Sequence, residues 1–326
     1  MTAPAARATR GRAPLVIKFG GAALASPLRV RAAVARIRYH RERERPSVVV
    51  VSAPGATTDR ILDRVSRVGG AAPLPGLEGA VRRERDRALA TGEDRSASVL
   101  AAALLGAGIP ARSLRGDEAG LWVEEADEAL GRGAVDAEHA KDAKHADPLQ
   151  ADLAPLQVDP APLRALLGAG IVPVVSGFQA RGAEGELVTL ARGGSDLTAV
   201  ALAEALGSPR CLLVKDVPGI FDQDPRRHPG AIFQKTLDWD ALVALAEAGG
   251  QVVQLEAACR ARHAGLPLHV VHYGQRPGSR GGTRVGAAPR VSEGLRVEDA
   301  SGGDPASRGD TGTQVEPTSR SLRGVS

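Results

Sequence analysis

Five short apolar runs, at residues 15–19, 47–52, 171–176, 211–215 and 268–272, recur along the chain with segments of helical spacing between them. Within each run consecutive rather than alternate positions are apolar, so both faces of the strand it forms must be covered. Valine dominates several of them, and a branched Cβ suits a pleated, packed surface. The intervening stretches 29–38, 58–68, 94–105, 197–206, 239–248 and 252–264 place apolar residues three and four apart. Strand and helix therefore alternate, and the pattern predicts an α/β fold: a three-layer αβα sandwich around a mainly parallel central sheet. In such sheets ligands bind outside the carboxyl ends of the strands, so the residues following each run are the ones to inspect.

The first run ends in Lys18-Phe19-Gly20-Gly21. Of 42 Lys and Arg residues only five are lysine, and two of those, Lys18 and Lys215, stand at strand ends. A chain that otherwise uses arginine retains lysine where a compact ammonium is wanted in place of a planar guanidinium. Strand, lysine and glycine turn together suit a phosphate, because glycine lets backbone N–H groups approach an anion closely. A Gly-Gly pair after a strand is also an ordinary turn.

After the second run, Ser52 to Asp59 is small and hydroxylated and leads into a helix, where Thr57 or Thr58 would serve as a cap or as a ligand-binding hydroxyl. After the third come Gly177-Phe178, a polar hairpin-like stretch to Gly185, and Arg192-Gly193-Gly194-Ser195-Asp196 at the start of an apolar helix. Ser195 or Asp196 would cap that helix, but capping requires neither Arg192 nor two glycines. The fourth run ends in Lys215-Asp216 and continues through Phe221 to Asp224-Pro225-Arg226.

Composition narrows the function classes. The 326 residues are 43% hydrophobic and 2% aromatic, with a net charge of +4. No apolar run approaches the ~20 residues of a membrane span, so no membrane partner is expected. Basic and acidic residues are mixed, and too few aromatics are present for a base-stacking platform, so no nucleic acid is expected either. Cys211 and Cys259, the only cysteines, read as thiols of a reducing cytoplasm and make neither a disulfide framework nor a metal site. His139 and His145 lie among Lys and Glu in a polar insertion, 136–147, that reads as solvated. Residues 1–14 and 286–326 lack apolar periodicity and read as disordered, which leaves 15–285 as the folded domain.

Taken together, Lys18 to Gly21, Val51 to Asp59, Thr91-Gly92-Glu93-Asp94, Gly177-Phe178 with Arg192 to Asp196, and Asp216 to Phe221 with Asp224 to Arg226 resemble, in order and spacing, the amino-acid kinases and, among them, the aspartate kinases. The resemblance implies an amino-acid kinase (carbamate kinase-like) fold and phosphorylation of the β-carboxylate of L-aspartate by ATP with Mg2+. That reaction opens lysine, threonine and methionine biosynthesis. By the same resemblance Lys18 and Asp196 are catalytic, with Asp196 orienting Lys18. Ser52, Thr58, Glu93, Phe178, Arg192 and Ser195 would bind substrate, with Glu93, at the start of a helix, on the α-ammonium and Arg192 on a carboxylate. Lys18, Gly20, Gly21, Lys215, Asp216, Phe221, Arg226 and Gln251 would bind nucleotide, and a homodimer formed through the kinase domain is a possible assembly.

The chain departs from that pattern at Ala22-Ala23, where relatives carry two hydroxyls, at Lys215, where threonine is common, and at Gln251, where lysine is common. Lys215 is expected to supply part of the charge missing at Gln251. Aspartate kinases also carry paired amino-acid-binding regulatory domains beyond the kinase region, and none is expected within 286–326. Two alternatives stay open: a kinase for another small carboxylate such as N-acetylglutamate, and a non-catalytic nucleotide or amino-acid sensor.

Overall fold

The computed structural model describes residues 12–43, 46–69, 76–124, 156–250 and 252–286. All of them fall within one unit that extends to Pro289. The insertion with His139 and His145, Gln251, and most of the expected disordered ends lie outside the described residues.

The five apolar runs are strands. They are β1 (Leu15–Phe19), β2 (Ser47–Val51), β6 (Val172–Ser176), β9 (Cys211–Lys215) and β13 (Leu268–His272). With β3 (Ala111–Leu114), β12 (Thr236–Leu237) and β14 (Thr283–Val285) they form an eight-stranded sheet of order β12-β14-β13-β9-β1-β2-β6-β3. Every pairing in it is parallel except that of β13 with β14. A second sheet, of order β5-β4-β7-β8, is built from β4 (Leu121–Val123), β5 (Leu156–Val158), β7 (Gln179–Arg181) and β8 (Leu187–Thr189). The strands β10 (Ile220–Phe221) and β11 (Phe233–Gln234) pair antiparallel.

The helices are α1 (Pro27–Arg43), α2 (Thr57–Gly69), α3 (Glu78–Gly106), α4 (Ala161–Gly168), α5 (Gly194–Ala205), α6 (Trp239–Glu247) and α7 (Leu255–His263), with a 3-10 turn at Gly21–Leu24. Strand pleating divides the core between two faces. Val16, Val48, Val50, Val175 and Leu213 pack with residues of α5 and α7, whereas Leu15, Ile17, Phe19, Val49, Val51, Leu212 and Val214 pack with α1 and the second half of α3. This is the three-layer sandwich that the doubly apolar runs require. Helix α5 is buried on nearly every side, and its alanines and glycine let it sit close against β1, β2 and β9.

Chain order reverses direction at β1. The path β1, β2, β6 moves one way across the sheet, and β9 and β13 lie on the other side. The carboxyl ends of β1 and β9 thus flank a topological switch point, the position where doubly wound sheets open a crevice.

Candidate active site

Lys18 is the fourth residue of β1 and Lys215 the last of β9. Pleating turns Lys18 to the α5 side, the side of Val16 in the next pleat. There Asp196, in the first turn of α5, receives both lysines: Lys18 Nζ lies 2.8 Å from Oδ1, and Lys215 Nζ lies 2.5 Å from Oδ2. All three side chains are largely buried, Asp196 most of all, at 2% exposed. Burial alone would raise the Asp196 pKa, but the charges and hydrogen bonds of the two ammoniums outweigh it and hold the carboxyl at about 2. Burial pulls the pKa of Lys215 down from its ordinary value, and Asp196 partly restores it. Two cations and one anion meet here, and the surplus is positive.

The glycines after β1 serve close packing. A Cβ on Gly21 would stand 2.2 Å from the Ala53 carbonyl oxygen, so the loops following β1 and β2 touch only because this side chain is absent. The Gly20 N–H donates to the Val214 carbonyl at 2.9 Å, so this amide, expected to face a phosphate, is engaged in the sheet. The Ser52 N–H likewise donates to the Phe19 carbonyl, which fixes the second loop beside the first.

Glu93 stands within α3, sixteenth of its 29 residues, and not at a helix start as the Thr91-Gly92 pair suggested. Gly92 leaves room for this: its Cβ would meet the Ala53 Cβ at 2.8 Å, so glycine is what lets α3 pass the loop without ending. Glu93 is 3% exposed; its Oε1 accepts the Ala53 N–H at 2.9 Å, and its Oε2 is buried without a hydrogen-bond partner. Burial pushes its pKa up to about 7, against the hydrogen bond from Ala53 and the attraction of Lys18. A buried acceptor aimed at no donor is a place for a ligand cation. Ser176 Oγ, at the carboxyl end of β6, is buried and similarly unpartnered. Sequence reading passed over Ser176, although a hydroxyl closing an otherwise apolar strand was the available signal.

On the other side of Asp196, Gly193 in the left-handed region (φ 86°) precedes α5, and no side chain caps the helix. Ser195 and Asp196 are thus freed from the capping role that composition also allowed. Ser195 packs against Gly177, where a Cβ would lie 2.7 Å from its own. Phe178 is the only non-glycine with positive φ among the described residues (φ 69°). It is held there because its N–H donates to Thr198 Oγ1 and its carbonyl accepts from the Leu190 N–H.

The sequence model of the amino acid kinase family matches residues 13–272, from just before β1 to the end of β13. The chain belongs to that family. Similar proteins include the aspartokinase of Thermus thermophilus, 33% identical over 256 residues, which are 78% of this chain and 56% of that protein. The aspartokinase of Mycolicibacterium smegmatis is 35% identical over 267 residues, covering 81% of this chain and 56% of the relative. The chain spans about half the length of the curated relatives it matches, 56% in both cases. Among solved structures, the aspartate kinase from Synechocystis superposes with a TM-score of 0.65 and 33% identity, over 87% of this chain and 41% of that one.

Within this amino acid kinase the remaining expected site residues are more dispersed. Thr58 lies in the first turn of α2, half-buried. Arg192 is exposed and pairs with Asp59 Oδ1 at 3.3 Å, bridging the α5 loop to α2. Phe221 packs edge-on to Phe233, with ring centroids 5.4 Å apart. Asp216 and Arg226 are exposed on the segment after β9, where the Arg226 N–H donates to Asp224 Oδ1. Lys215 is buried on Asp196 beside Lys18.

Proposed function

We propose that this chain is the kinase domain, over residues 15–285, of an aspartate kinase that transfers the γ-phosphoryl group of ATP to the β-carboxylate of L-aspartate, giving 4-phospho-L-aspartate. The single observation that carries the reading is Asp196 clamped between Lys18 and Lys215 at the mouths of β1 and β9. Similarity to aspartokinases at 33% and 35% identity supports the choice of acceptor.

The acceptor is already ionised, so the reaction needs no general base; it needs two anions brought together and charge neutralised on the transferred group. Asp196, ionised down to a pH of about 2 and occupied on both oxygens, is unsuited to taking a proton. It holds the two ammoniums in place. Each lysine keeps N–H donors beyond the one directed at Asp196, and these face the phosphoryl oxygens.

Glu93 Oε2 accepts the α-ammonium of aspartate, which also compensates its buried charge. Arg192 leaves an exposed pair with Asp59, which costs little, to fork onto a substrate carboxylate. Ser52, Thr58, Phe178 and Ser195 line the acceptor side, while Asp216, Phe221 and Arg226 flank the nucleotide. Among the described residues no group of three or more His, Cys, Asp or Glu could hold a metal. Magnesium enters as part of the substrate, on the phosphates of ATP, where it neutralises charge. Among the described residues no helix is long and apolar enough to cross a membrane.

Trapping the acyl phosphate with hydroxylamine tests the assignment. Hydroxamate should form with magnesium-ATP and L-aspartate, and Lys18→Ala should abolish it. Turnover with N-acetylglutamate in place of aspartate would give the other carboxylate as acceptor. ATP binding without any aspartate-dependent ADP would identify a sensor.

A further inference from the structure

A cavity of about 250 Å³ lies beneath α1, lined among others by Arg36, Arg210, His269, Arg276 and Arg284. The positions come from α1, the start of β9, β13, the loop after it and β14, five segments spread over most of the domain. The lining contains no acidic residue. Arg36 is the most telling member: it is 4% exposed, and its Nη2 donates to the main-chain carbonyls of Gln275 and His272. Among the described residues Arg36, Arg276 and Arg284 form no ion pair, although the domain pairs other arginines readily, as with Arg260 and Glu204 at 2.6 Å. A buried guanidinium held only by neutral carbonyls forgoes most of the compensation that a buried charge requires.

His269 lies in the same field. Burial lowers its pKa, a hydrogen bond with the Gly281 carbonyl opposes this, and Arg284, Arg210 and Arg36 lower it further. The cavity is also separate from the crevice at Asp196. Its lining includes none of Lys18, Asp196 and Lys215, and it reaches α1, which packs on the face of the sheet opposite α5.

We infer that this cavity is a second binding site, for a small phosphate-type dianion, with Arg36 as its buried anchor and Arg276 and Arg284 as its exposed arms. Planar guanidinium forks match the tetrahedral oxygens of phosphate in pairs, and converging arginines select a multiply charged anion over chloride. About 250 Å³ accommodates inorganic phosphate or the phosphate end of a small ester. The inference is independent of the phosphoryl acceptor used at the other site.

Calorimetric titration of the purified chain with inorganic phosphate, at ionic strength matched with potassium chloride, tests it in three proteins: wild type, R276Q/R284Q and K215A. The wild type should bind phosphate, K215A should retain that binding, and R276Q/R284Q should weaken it at least about tenfold while its thermal melt stays unchanged. If the double variant melts early, R276Q alone, on an exposed loop, makes the comparison. Equal affinity in wild type and the arginine variants overturns the assignment. So does absence of binding at low-millimolar phosphate, or binding lost in K215A and kept in R276Q/R284Q, which would put the anion at the Asp196 crevice.

Discussion

Asp196, Lys18 and Lys215 form one electrostatic unit, so their substitutions should not add. Asp196→Asn leaves two buried ammoniums facing each other and should cost about 3–5 kcal/mol of stability along with activity. Adding Lys215→Met to it should recover part of that loss, read as a positive coupling in urea melts; a doubly substituted protein less stable than Asp196→Asn alone would refute the unit. Glu93 makes the opposite prediction for pH. Its folded pKa, about 7, is above the unfolded carboxyl value, so the folded state holds its proton longer and stability falls as pH rises from the ordinary glutamate range to about 7. Glu93→Gln should therefore stabilise the free protein at pH 8, by on the order of 1–3 kcal/mol, while raising the KM for aspartate. If its melting temperature at pH 8 is no higher than wild type, the buried charge is compensated in some other way. Sequence reading located Lys18 and Lys215 because both close apolar runs. It could not give the partner of Lys215, because the contact joins residues 19 positions apart through the packing of α5 on β9.

At the scale of elements, the site depends on how closely loops and helices approach. Gly21, Gly92 and Gly177 each stand where a Cβ would meet another segment at under 3 Å. Gly21→Ala should displace the loop after β1 or that after β2, lowering stability by about 1–3 kcal/mol and turnover more steeply, since Lys18 and Ser52 are anchored at those turns. Steady-state kinetics beside thermal melts separate the two effects; a variant with wild-type kinetics would show that the turns need not touch. The five long apolar strands were legible because doubly buried strands need no alternation to be recognised. Helix α3 was legible only in its second half, because Thr91-Gly92 reads locally as a helix start, and the close approach that requires glycine there comes from Ala53, some forty positions earlier in the chain. The short strands β3, β4 and β5 carry three or four residues each, too few for a periodic signal, and are set by pairing: β3 with β6, β4 with β5 and β7, and β5 with β4.

For the molecule as a whole, the sheet is least accessible at its middle, where β1, β2, β6 and β9 meet and most side chains are fully buried. Amides of Val16, Ile17, Val49, Val50 and Leu213 should exchange with deuterium only through global unfolding, whereas those of β10 and β11, which pair only with each other, should exchange by local opening. Uniform protection across all strands would contradict this gradient. The order of strands about β1 could not be read from the sequence, because each run is equally apolar and any neighbour would satisfy it; only the length of the connections and the handedness of crossovers choose among arrangements.

The clamp on Asp196 also determines what the protein presents to amine-reactive chemistry. Three lysines fall among the described residues; Lys235 is exposed, and the other two are the buried partners of one carboxylate. An acylating reagent should mark Lys235 at once and leave Lys18 and Lys215 almost untouched until the crevice opens or Asp196 lets go. Each acyl group on either residue is then a record of an opening event, readable by mass spectrometry, with Lys235 in the same molecule as the internal clock for reagent exposure.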